Sequence, residues 1–320
     1  MKRGQAGAAE RLAALTKLVE SELERALDVA DNGTAARADA FGASRLLDSM
    51  RYSLRTPGKR LRPLLLLTTA EAVGVDAAPL ARFCVGVEMI HAYSLIHDDL
   101  PAMDDDELRR GRPTNHVVYG DGMAILAGDG LLTEAFVAML EPLELGGRAV
   151  DAALQMGVVR DLALAAGGTG MVGGQAADLQ SEGGAPDEAL LLSIHARKTG
   201  ALILGSVMAG GRLAGATADV LDALERFAVH YGLAFQIADD IKDEVAPPEI
   251  TGKRGGGDRA AEKMTYPALF GVDGSRERCA AELEAAFAAL ATAPGASDRS
   301  AALELLARGS VSPAFDAAGA

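Results

Sequence analysis

Apolar residues recur every three to four positions in segment after segment of this chain, and this periodicity constrains the fold most strongly. The period places apolar side chains on one face of an α-helix, whereas no long run alternates as a β-strand would. The composition agrees, since aromatic residues make up only 4% and Trp is absent. Stretches rich in Gly and Pro separate the segments and predict helix ends. The predicted helices span Ala9–Val29, Pro63–Val73, Ala78–Asp99, Met123–Leu140, Ala149–Ala166, Pro186–Met208, Thr217–Glu244, Ala280–Leu290 and Ser300–Ala307.

The length of 320 residues is enough for a large hydrophobic core. Because no internal repeat and no linker divides the chain, we expect a single all-α domain over residues 1–320. Residues 309–320 are small and weakly apolar, and we expect them to form a frayed tail.

The net charge, the cysteine content and the apolar stretches exclude some classes of protein. The formal net charge of −14 argues against general nucleic-acid binding, since nucleic-acid phosphates require clustered cations. The two cysteines, Cys84 and Cys279, are too few for a disulfide framework and indicate a reducing compartment. The N-terminus lacks the apolar core of a signal peptide, and no uncharged apolar stretch reaches the roughly 18 residues of a membrane span. We therefore expect a cytoplasmic protein without a transmembrane segment.

The first unusual segment is HDDLPAMDDDELRRGRPTNH, residues 97–116, in which five aspartates precede three arginines. Asp98 and Asp99 close a mainly apolar predicted helix, where negative charge opposes the helix dipole. Pro101 ends that helix and lets the chain double back, so that Asp98 and Asp104 can reach one ion. Such oxygen ligands suit Mg²⁺, which takes one or two carboxylates and completes its shell with water and phosphate.

A second acidic segment, FQIADDIKDE, places Asp239 and Asp243 one helical turn apart on one face. Gln236 and Gly232 lie on the same face, and Gly232 leaves room for a second backbone or a ligand. A solvated acidic helix end would have the same pattern, so this segment alone does not establish a metal site.

Cations accompany both acidic segments. They are Arg109, Arg110 and Arg112 in the first segment, Lys59, Arg60 and Arg62 in TPGKRLR, and the separate Lys198, Lys253 and Lys263. Because arginine binds phosphate bidentately and lysine supplies a point charge, carboxylates, Mg²⁺ and cations together predict a diphosphate site. The spacings of an EF-hand, a zinc site, a Walker loop and a Rossmann fingerprint are absent from the sequence.

These segments resemble those of the short-chain trans-polyprenyl (isoprenyl) diphosphate synthases, most closely the bacterial-type farnesyl diphosphate synthases. The matching segments are GKRLRP (58–63), EMIHAYSLIHDDLPAMDDDELRRGRPTNH (88–116), LAGDGLLTEAF (126–136), GMVGGQAADL (170–179), RKTGALI (197–203), FQIADDIKD (235–243) and GKRGGGDRAAEKMTYPAL (252–269). The resemblance spans nearly the whole chain. It implies one large helical bundle, the isoprenoid synthase fold, around a deep central cavity, and it implies a homodimer.

The resemblance also implies roles for individual residues. The metal-binding set would be Asp98, Asp99, Asp104, Asp239 and Asp243, which would hold three Mg²⁺ ions, with Mn²⁺ as a substitute. The allylic diphosphate would contact Arg109, Lys198 and Lys253, with Lys263 also in the substrate site. The isopentenyl diphosphate would contact Lys59, Arg62, His91 and Arg110. Thr199 and Gln236 would stabilise developing carbocation charge, and Gln175 and Asp178 would line the cavity wall. The expected catalytic residues are Asp98, Asp99, Asp104, Lys198, Thr199, Gln236 and Asp239.

The implied reaction is the head-to-tail condensation of isopentenyl diphosphate with dimethylallyl or geranyl diphosphate. Metal ions and cations stabilise the leaving diphosphate as the allylic C–O bond ionises; the isopentenyl double bond then attacks and a proton leaves. Water must be kept from the carbocation, and Glu244–Asp258, with its prolines and glycines, is the candidate lid. Two departures from the family concern the isopentenyl site: Pro57 replaces a usual glycine, and the family's basic ending after Arg308 is missing.

Product length depends on how far the apolar cavity extends below the first aspartates. Ser94 lies one helical turn beneath Asp98. Similarity to family members that make the fifteen-carbon product implies that the ring of Tyr93 closes the cavity floor, although a tyrosine packed between helices is the alternative. We expect farnesyl diphosphate as the product, with geranylgeranyl diphosphate as the alternative.

Other classes of protein fit less well. A terpene cyclase would not need the cations Lys59, Arg62 and Arg110. A non-catalytic partner subunit of a heteromeric synthase would have lost an acidic motif or the KTG sequence at 198–200, and both are intact. An acidic helical scaffold would leave the cation spacing of residues 252–263 unexplained.

Overall fold

The segments with a helical apolar period form α-helices that pack against one another. A computed structural model describes residues 2–29, 43–185, 187–245, 264–295 and 299–316. Its α-helices are α1 (Lys2–Val29), α2 (Ala43–Leu54), α3 (Leu61–Val73), α4 (Ala81–Asp98), α5 (Asn115–Tyr119), α6 (Asp121–Leu140), α7 (Ala152–Ala166), α8 (Met171–Ser181), α9 (Glu188–His195), α10 (Ala201–Leu213), α11 (Ala218–Val245), α12 (Tyr266–Ala291), α13 (Ala301–Val311) and α14 (Pro313–Asp316). A 3₁₀ turn (Ala78–Leu80) precedes α4, and a π-helical turn (Ala196–Gly200) joins α9 to α10.

Two short antiparallel hairpins interrupt the helices in the described part of the chain. Strand β1 (Leu108–Arg109) pairs with β2 (Arg112–Pro113), and β3 (Glu144–Leu145) pairs with β4 (Arg148–Ala149). In the first hairpin the two turn residues, Arg110 and Gly111, both have positive φ, of 53° and 74°. This is the backbone that a two-residue hairpin turn requires, and it puts Arg110 at the tip.

The core is formed by helices that are buried along most of their length. Helix α3 (LRPLLLLTTAEAV) is buried nearly throughout, which explains why its sequence has no polar face. It packs against α4 and α10, while α11 packs along α12 and α4 packs along α6. Buried apolar side chains from Leu15 to Ala314 form one contiguous cluster. Gly74 ends α3 with a φ of 111°, and its N–H donates to the last carbonyls of the helix.

The predicted helices are present with shifted ends, and the described residues contain four more that were not predicted, α2, α5, α8 and α14. Helix α2 has apolar residues at helical spacing that the sequence analysis overlooked, and α8 begins at Met171 inside a glycine-rich stretch predicted to be a break. Helix α12 begins at Tyr266 and not at Ala280, and it contains one residue outside helical geometry, Gly271 with a φ of 68°. Glycines lower local helix propensity, but packing against neighbouring helices outweighs that cost here.

The prediction of a frayed tail is wrong for residues 309–316, where α13 continues to Val311 and α14 spans Pro313–Asp316. Val311 and Ala314 are buried, and the Ser310 hydroxyl lies 2.7 Å from the hydroxyl of Tyr231 in α11. Small side chains let this segment approach the core closely, so weak hydrophobicity in the sequence did not mean weak packing. Residues 317–320 lie outside the described residues.

Helix α6 is long and apolar enough to cross a bilayer by length and composition alone. One such helix is weak support for a membrane span, because packed helices of other proteins pass the same criterion. Helix α6 packs against α2 and α4 and exposes Ile125, Leu126, Val137 and Leu140 on its opposite side. We call these four residues the α6 apolar surface.

Candidate active site

A cavity of about 1130 Å³ lies between α4, α8 and α11. Its wall is completed by the loop before α3 and by the π-helical turn that follows α9. Side chains that were predicted from separate parts of the sequence to form one site meet in this cavity. Those that line it are Lys59, Arg62, His91, Tyr93, Ser94, Asp98, Asp104, Arg109, Arg110, Gln175, Asp178, Lys198, Thr199, Gln236, Asp239 and Asp243.

After Pro101 the chain of the first acidic segment turns back toward the end of α4, as the sequence predicted. Helix α4 ends at Asp98, and the backbone N–H of Asp104 donates to the Asp98 carbonyl at 2.9 Å. This bond returns the chain to the helix end, so Asp98 and Asp104 both line the cavity. The pKa of Asp98 is raised to about 6, chiefly by burial and also by neighbouring Asp104, while Lys198 opposes the rise. An added cation would therefore stabilise the Asp98 carboxylate strongly.

Asp99 does not reach the cavity with Asp98 and Asp104. Its two carboxylate oxygens accept hydrogen bonds from Arg109 Nε at 2.7 and 2.9 Å, and its side chain is only 5% exposed. Successive residues at a helix end point about 100° apart, so Asp98 and Asp99 cannot face the same space. Asp99 is the buried partner that orients Arg109, whose side chain does line the cavity.

The second acidic segment faces the first from α11. Gln236, Asp239 and Asp243 line the cavity, so the acidic helix end is not merely a solvated one. The predicted role of Gly232 in a close approach is confirmed, because a Cβ there would lie 3.3 Å from the Cα of Gly200 in the π-helical turn.

Asp240, which follows Asp239 directly, also borders the cavity, but its side chain is buried and held by hydrogen bonds within the protein. Its Oδ1 accepts a hydrogen bond from Gln236 Nε2 at 2.9 Å, and its Oδ2 accepts one from the Tyr266 N–H at 3.0 Å. The ring of His195 stacks on that of Tyr266 and lies 3.5 Å from the same Oδ2. Burial lowers the pKa of His195 to about 4, so at neutral pH this contact joins a neutral imidazole to Asp240.

The π-helical turn carries two cavity residues that the sequence placed in an unbroken helix. Lys198 Nζ donates to Asp178 Oδ2 at 2.6 Å, and Thr199 Oγ1 donates to Gln236 Oε1 at 2.6 Å. A π-turn widens the helix by one residue and is frequent at functional sites. Within the described residues both amide atoms of Gln175 are buried without a hydrogen-bond partner.

The cations of the loop before α3 gather at one end of the cavity with those of the first hairpin. Arg110 Nη1 donates to the Pro57 carbonyl at 2.8 Å, and a Cβ on Gly58 would overlap this guanidinium. Pro57 therefore contributes an acceptor that holds Arg110, and Gly58 leaves the space for it.

Burial lowers the pKa of His91 well below its ordinary value, and the nearby arginines lower it further, so His91 is neutral. Arg112 instead lies over the ring of Tyr52.

Lys253 and Lys263 lie outside the described residues, as does all of the candidate lid beyond Val245.

Tyr93 lines the cavity, a position that the sequence alone could not assign. Its side chain is buried, and its ring meets that of His97 edge-on, with centroids 5.8 Å apart. Ser94 also lines the cavity, and its hydroxyl donates to the His91 carbonyl at 2.9 Å. Both residues are therefore in a position to limit the space below Asp98.

Sequence reasoning missed one charged residue at the cation-rich end, Glu88, and assigned no role to another, Arg60. Glu88 lies in the middle of apolar α4, and Arg60 immediately precedes α3. Both are buried and both border the cavity. A lone glutamate within CVGVEMIHAY was a usable signal, because an unpaired charge is rarely buried.

Comparison with known proteins agrees with this arrangement. A model described as polyprenyl synthetase matches residues 43–302. Farnesyl diphosphate synthase of Geobacillus stearothermophilus is 49% identical over 245 residues, covering 77% of this chain and 82% of that protein. Geranylgeranyl diphosphate synthase of Cyanophora paradoxa is 45% identical over 231 residues, covering 72% of this chain and 76% of that protein. The crystal structure of an FPP/GFPP synthase from Zymomonas mobilis is 34% identical, with a TM-score of 0.78 over 95% of this chain and 100% of that chain.

The family match covers more than half of the chain and includes both acidic segments and the KTG motif. The similarity to the solved structure extends over nearly the whole chain and is that of one all-α fold. The chain belongs to the polyprenyl synthetase family.

Proposed function

We propose that this protein is a trans-prenyltransferase that condenses isopentenyl diphosphate with allylic diphosphates and makes farnesyl diphosphate. The observation that carries the proposal is the meeting of carboxylates from α4 and α11 with cations from three other segments in one cavity. Carboxylates and cations that share a cavity can bind a diphosphate through bridging metal and through direct hydrogen bonds.

The carboxylates of Asp98, Asp104, Asp239 and Asp243 suit Mg²⁺, and we propose that they hold it, three ions in each site, with Mn²⁺ as a substitute. In the described part of the chain, no three His, Cys, Asp or Glu side chains form a metal centre by themselves. This fits Mg²⁺, which is bound by few carboxylates and shares its shell with substrate phosphate. When bound, the metal would stabilise negative charge on the leaving diphosphate.

The chain's own cations divide into two groups around the acidic faces. We assign Lys198 and Arg109 to the allylic diphosphate, and the nearby Asp178 and Asp99 hold their side chains in place. We assign Lys59, Arg62, Arg110 and His91 to the isopentenyl diphosphate. Thr199 donates to the Gln236 carbonyl oxygen, and this oriented pair is suited to stabilise positive charge on the allylic carbon.

The test is turnover with defined substrates. The purified chain is incubated with labelled isopentenyl diphosphate, Mg²⁺ and dimethylallyl or geranyl diphosphate, and the dephosphorylated products are separated by chromatography. We expect a fifteen-carbon product that disappears on chelation with EDTA and returns on adding Mg²⁺ or Mn²⁺. If neither primer gives a condensation product, the proposal is refuted.

The product length is proposed to depend on Tyr93. Tyr93→Ala should lengthen the main product beyond fifteen carbons, because it removes a ring that borders the cavity next to the acidic motif. Tyr93→Phe is the matched control, since it keeps the volume of the ring and should keep the fifteen-carbon product. An unchanged product profile for Tyr93→Ala, read by the same chromatography, would refute this role.

Geranylgeranyl diphosphate is the second candidate product. It is favoured by the relative from Cyanophora paradoxa, whose name gives that product and which is almost as similar as the farnesyl diphosphate synthase from Geobacillus stearothermophilus. A twenty-carbon product from the unaltered chain would establish this alternative.

We also propose that two copies of the chain associate through the α6 apolar surface, where four large apolar side chains are 45–57% exposed. Light scattering should give the mass of a dimer. Val137→Glu should shift it toward the monomer, while Val229→Glu, at an exposed apolar position on α11, should not. A monomeric wild-type protein at micromolar concentration would rule out the dimer.

A further inference from the structure

One arginine next to the proposed isopentenyl-site cations makes several polar contacts inside the protein. Arg60 lies between Lys59 and Arg62, but its guanidinium turns into the protein. Nη1 donates to Glu88 Oε1 at 2.9 Å and Nε donates to Glu20 Oε1 at 2.7 Å. Nη2 donates to the Leu54 carbonyl at 3.1 Å. One side chain therefore ties α1, α2 and α4 to the start of α3.

The backbone conformation of Arg60 explains why its side chain needs these hydrogen bonds. Its φ and ψ are 46° and 39°, the left-handed region that residues with side chains rarely adopt. The carbonyl of Arg60 accepts the first hydrogen bond of α3, from the Leu64 N–H. This conformation changes the direction of the chain where α3 begins, and Lys59 and Arg62 on either side of it both line the cavity.

Glu88 is the buried anion of this end of the cavity. The side chains of Glu88 and Arg60 are each 3% exposed, whereas that of Glu20 is 43% exposed. Within the described residues Glu88 Oε2 and Arg62 Nε have no hydrogen-bond partner, so Glu88 acts on Arg62 through charge across space. Burial lowers the pKa of Arg62, and the charge of Glu88 opposes that shift.

We propose that the buried Arg60–Glu88 ion pair is a positioning device that sets Lys59 and Arg62 for binding the isopentenyl diphosphate. Neither residue of the pair touches the substrate in this scheme. Arg60 holds the left-handed turn, and Glu88 holds Arg60 while balancing the positive charge of the arginines around it. This inference rests on the proposed function, because it takes Lys59 and Arg62 as the isopentenyl diphosphate site.

Two substitutions at Arg60 separate the ion pair from the turn. Gly adopts the left-handed conformation without strain, whereas Ala does not. If the turn alone mattered, Arg60→Gly would behave as wild type and Arg60→Ala would not. We expect both variants to raise KM for isopentenyl diphosphate about tenfold or more, and to change KM for geranyl diphosphate less than about threefold.

The two carboxylates that hold Arg60 supply the matched control. Glu88→Gln keeps the shape of the side chain and removes its charge, so we expect the same selective rise in KM for isopentenyl diphosphate. Glu20→Gln weakens the contact of Arg60 on the side away from the cavity and should leave both KM values within about twofold of wild type. Melting temperatures of all four variants show which of them are folded.

The changes in the two KM values decide whether the Arg60–Glu88 pair is a positioning device. A fall in KM for isopentenyl diphosphate in Glu88→Gln would overturn it, because Glu88 would then only compete with the diphosphate for the arginines. Equal changes in both KM values would also overturn it, since they indicate a general loss of structure. Should the Arg60 variants fail to fold, Glu88→Gln alone decides. Absence of turnover in the wild type would instead refute the proposed function.

Discussion

Asp239→Asn is expected to lower kcat by about a thousandfold or more. The substitution keeps the size of the side chain and removes one carboxylate charge from the α11 face of the cavity. If that carboxylate holds metal against the leaving diphosphate, its loss removes several kcal/mol of charge stabilisation in the transition state, and each 1.36 kcal/mol is a factor of ten. Initial rates with isopentenyl and geranyl diphosphates at saturating Mg²⁺ measure the effect.

A surface aspartate provides the control for Asp239→Asn. The side chain of Asp273 is 96% exposed and pairs only with Arg276 among the described residues, three positions away on α12. Such a pair contributes little, so Asp273→Asn should keep wild-type kcat. A kcat for Asp239→Asn within tenfold of wild type, in a protein with an unchanged melting temperature, would contradict the assignment of Asp239 to the metal site.

Gly174→Ala is expected to damage both the fold and the activity. Helix α8 crosses the π-helical turn at Gly174, and a Cβ there would overlap the backbone N and Cα of Lys198. Overlap with backbone cannot be relieved by rotating a side chain, so the two segments must separate. We expect the free energy of unfolding to fall by about 1–3 kcal/mol, the usual cost of overpacking. Urea denaturation at constant temperature measures this change.

The loss of activity in Gly174→Ala follows from the same contact. Helix α8 carries Asp178, whose carboxylate holds Lys198 at 2.6 Å, so separating the segments moves a proposed diphosphate ligand. We expect kcat/KM for geranyl diphosphate to fall about tenfold or more, since small displacements from productive geometry have large effects. Gly122→Ala is the control, because nothing lies within 4 Å of a Cβ at that helical position. Equal stability and activity of the two variants would show that the crossing is not tight.

Features that depend on near neighbours in the chain were determined by the sequence itself. The apolar period predicted the helices, and the helix-ending Pro101 predicted the return that brings Asp104 to Asp98. The i, i+4 spacing put Asp239 and Asp243 on one face of α11, and Gly232 marked the close approach of another backbone. Each of these follows from helix geometry and steric size, which act over a few residues.

Only the tertiary structure decided which charged side chains turn into the cavity and which turn into the protein. Asp99 and Asp240 follow Asp98 and Asp239 directly in the sequence, yet Asp99 is held by Arg109 outside the cavity, and Asp240, at the cavity wall, is held by the α12 backbone. The π-helical turn, the Arg60–Glu88 pair and the helical residues 309–316 likewise depend on partners far along the chain. The physical reason is that hydrogen bonds and burial between distant segments outweigh local propensities, and a linear sequence does not state which segments will meet.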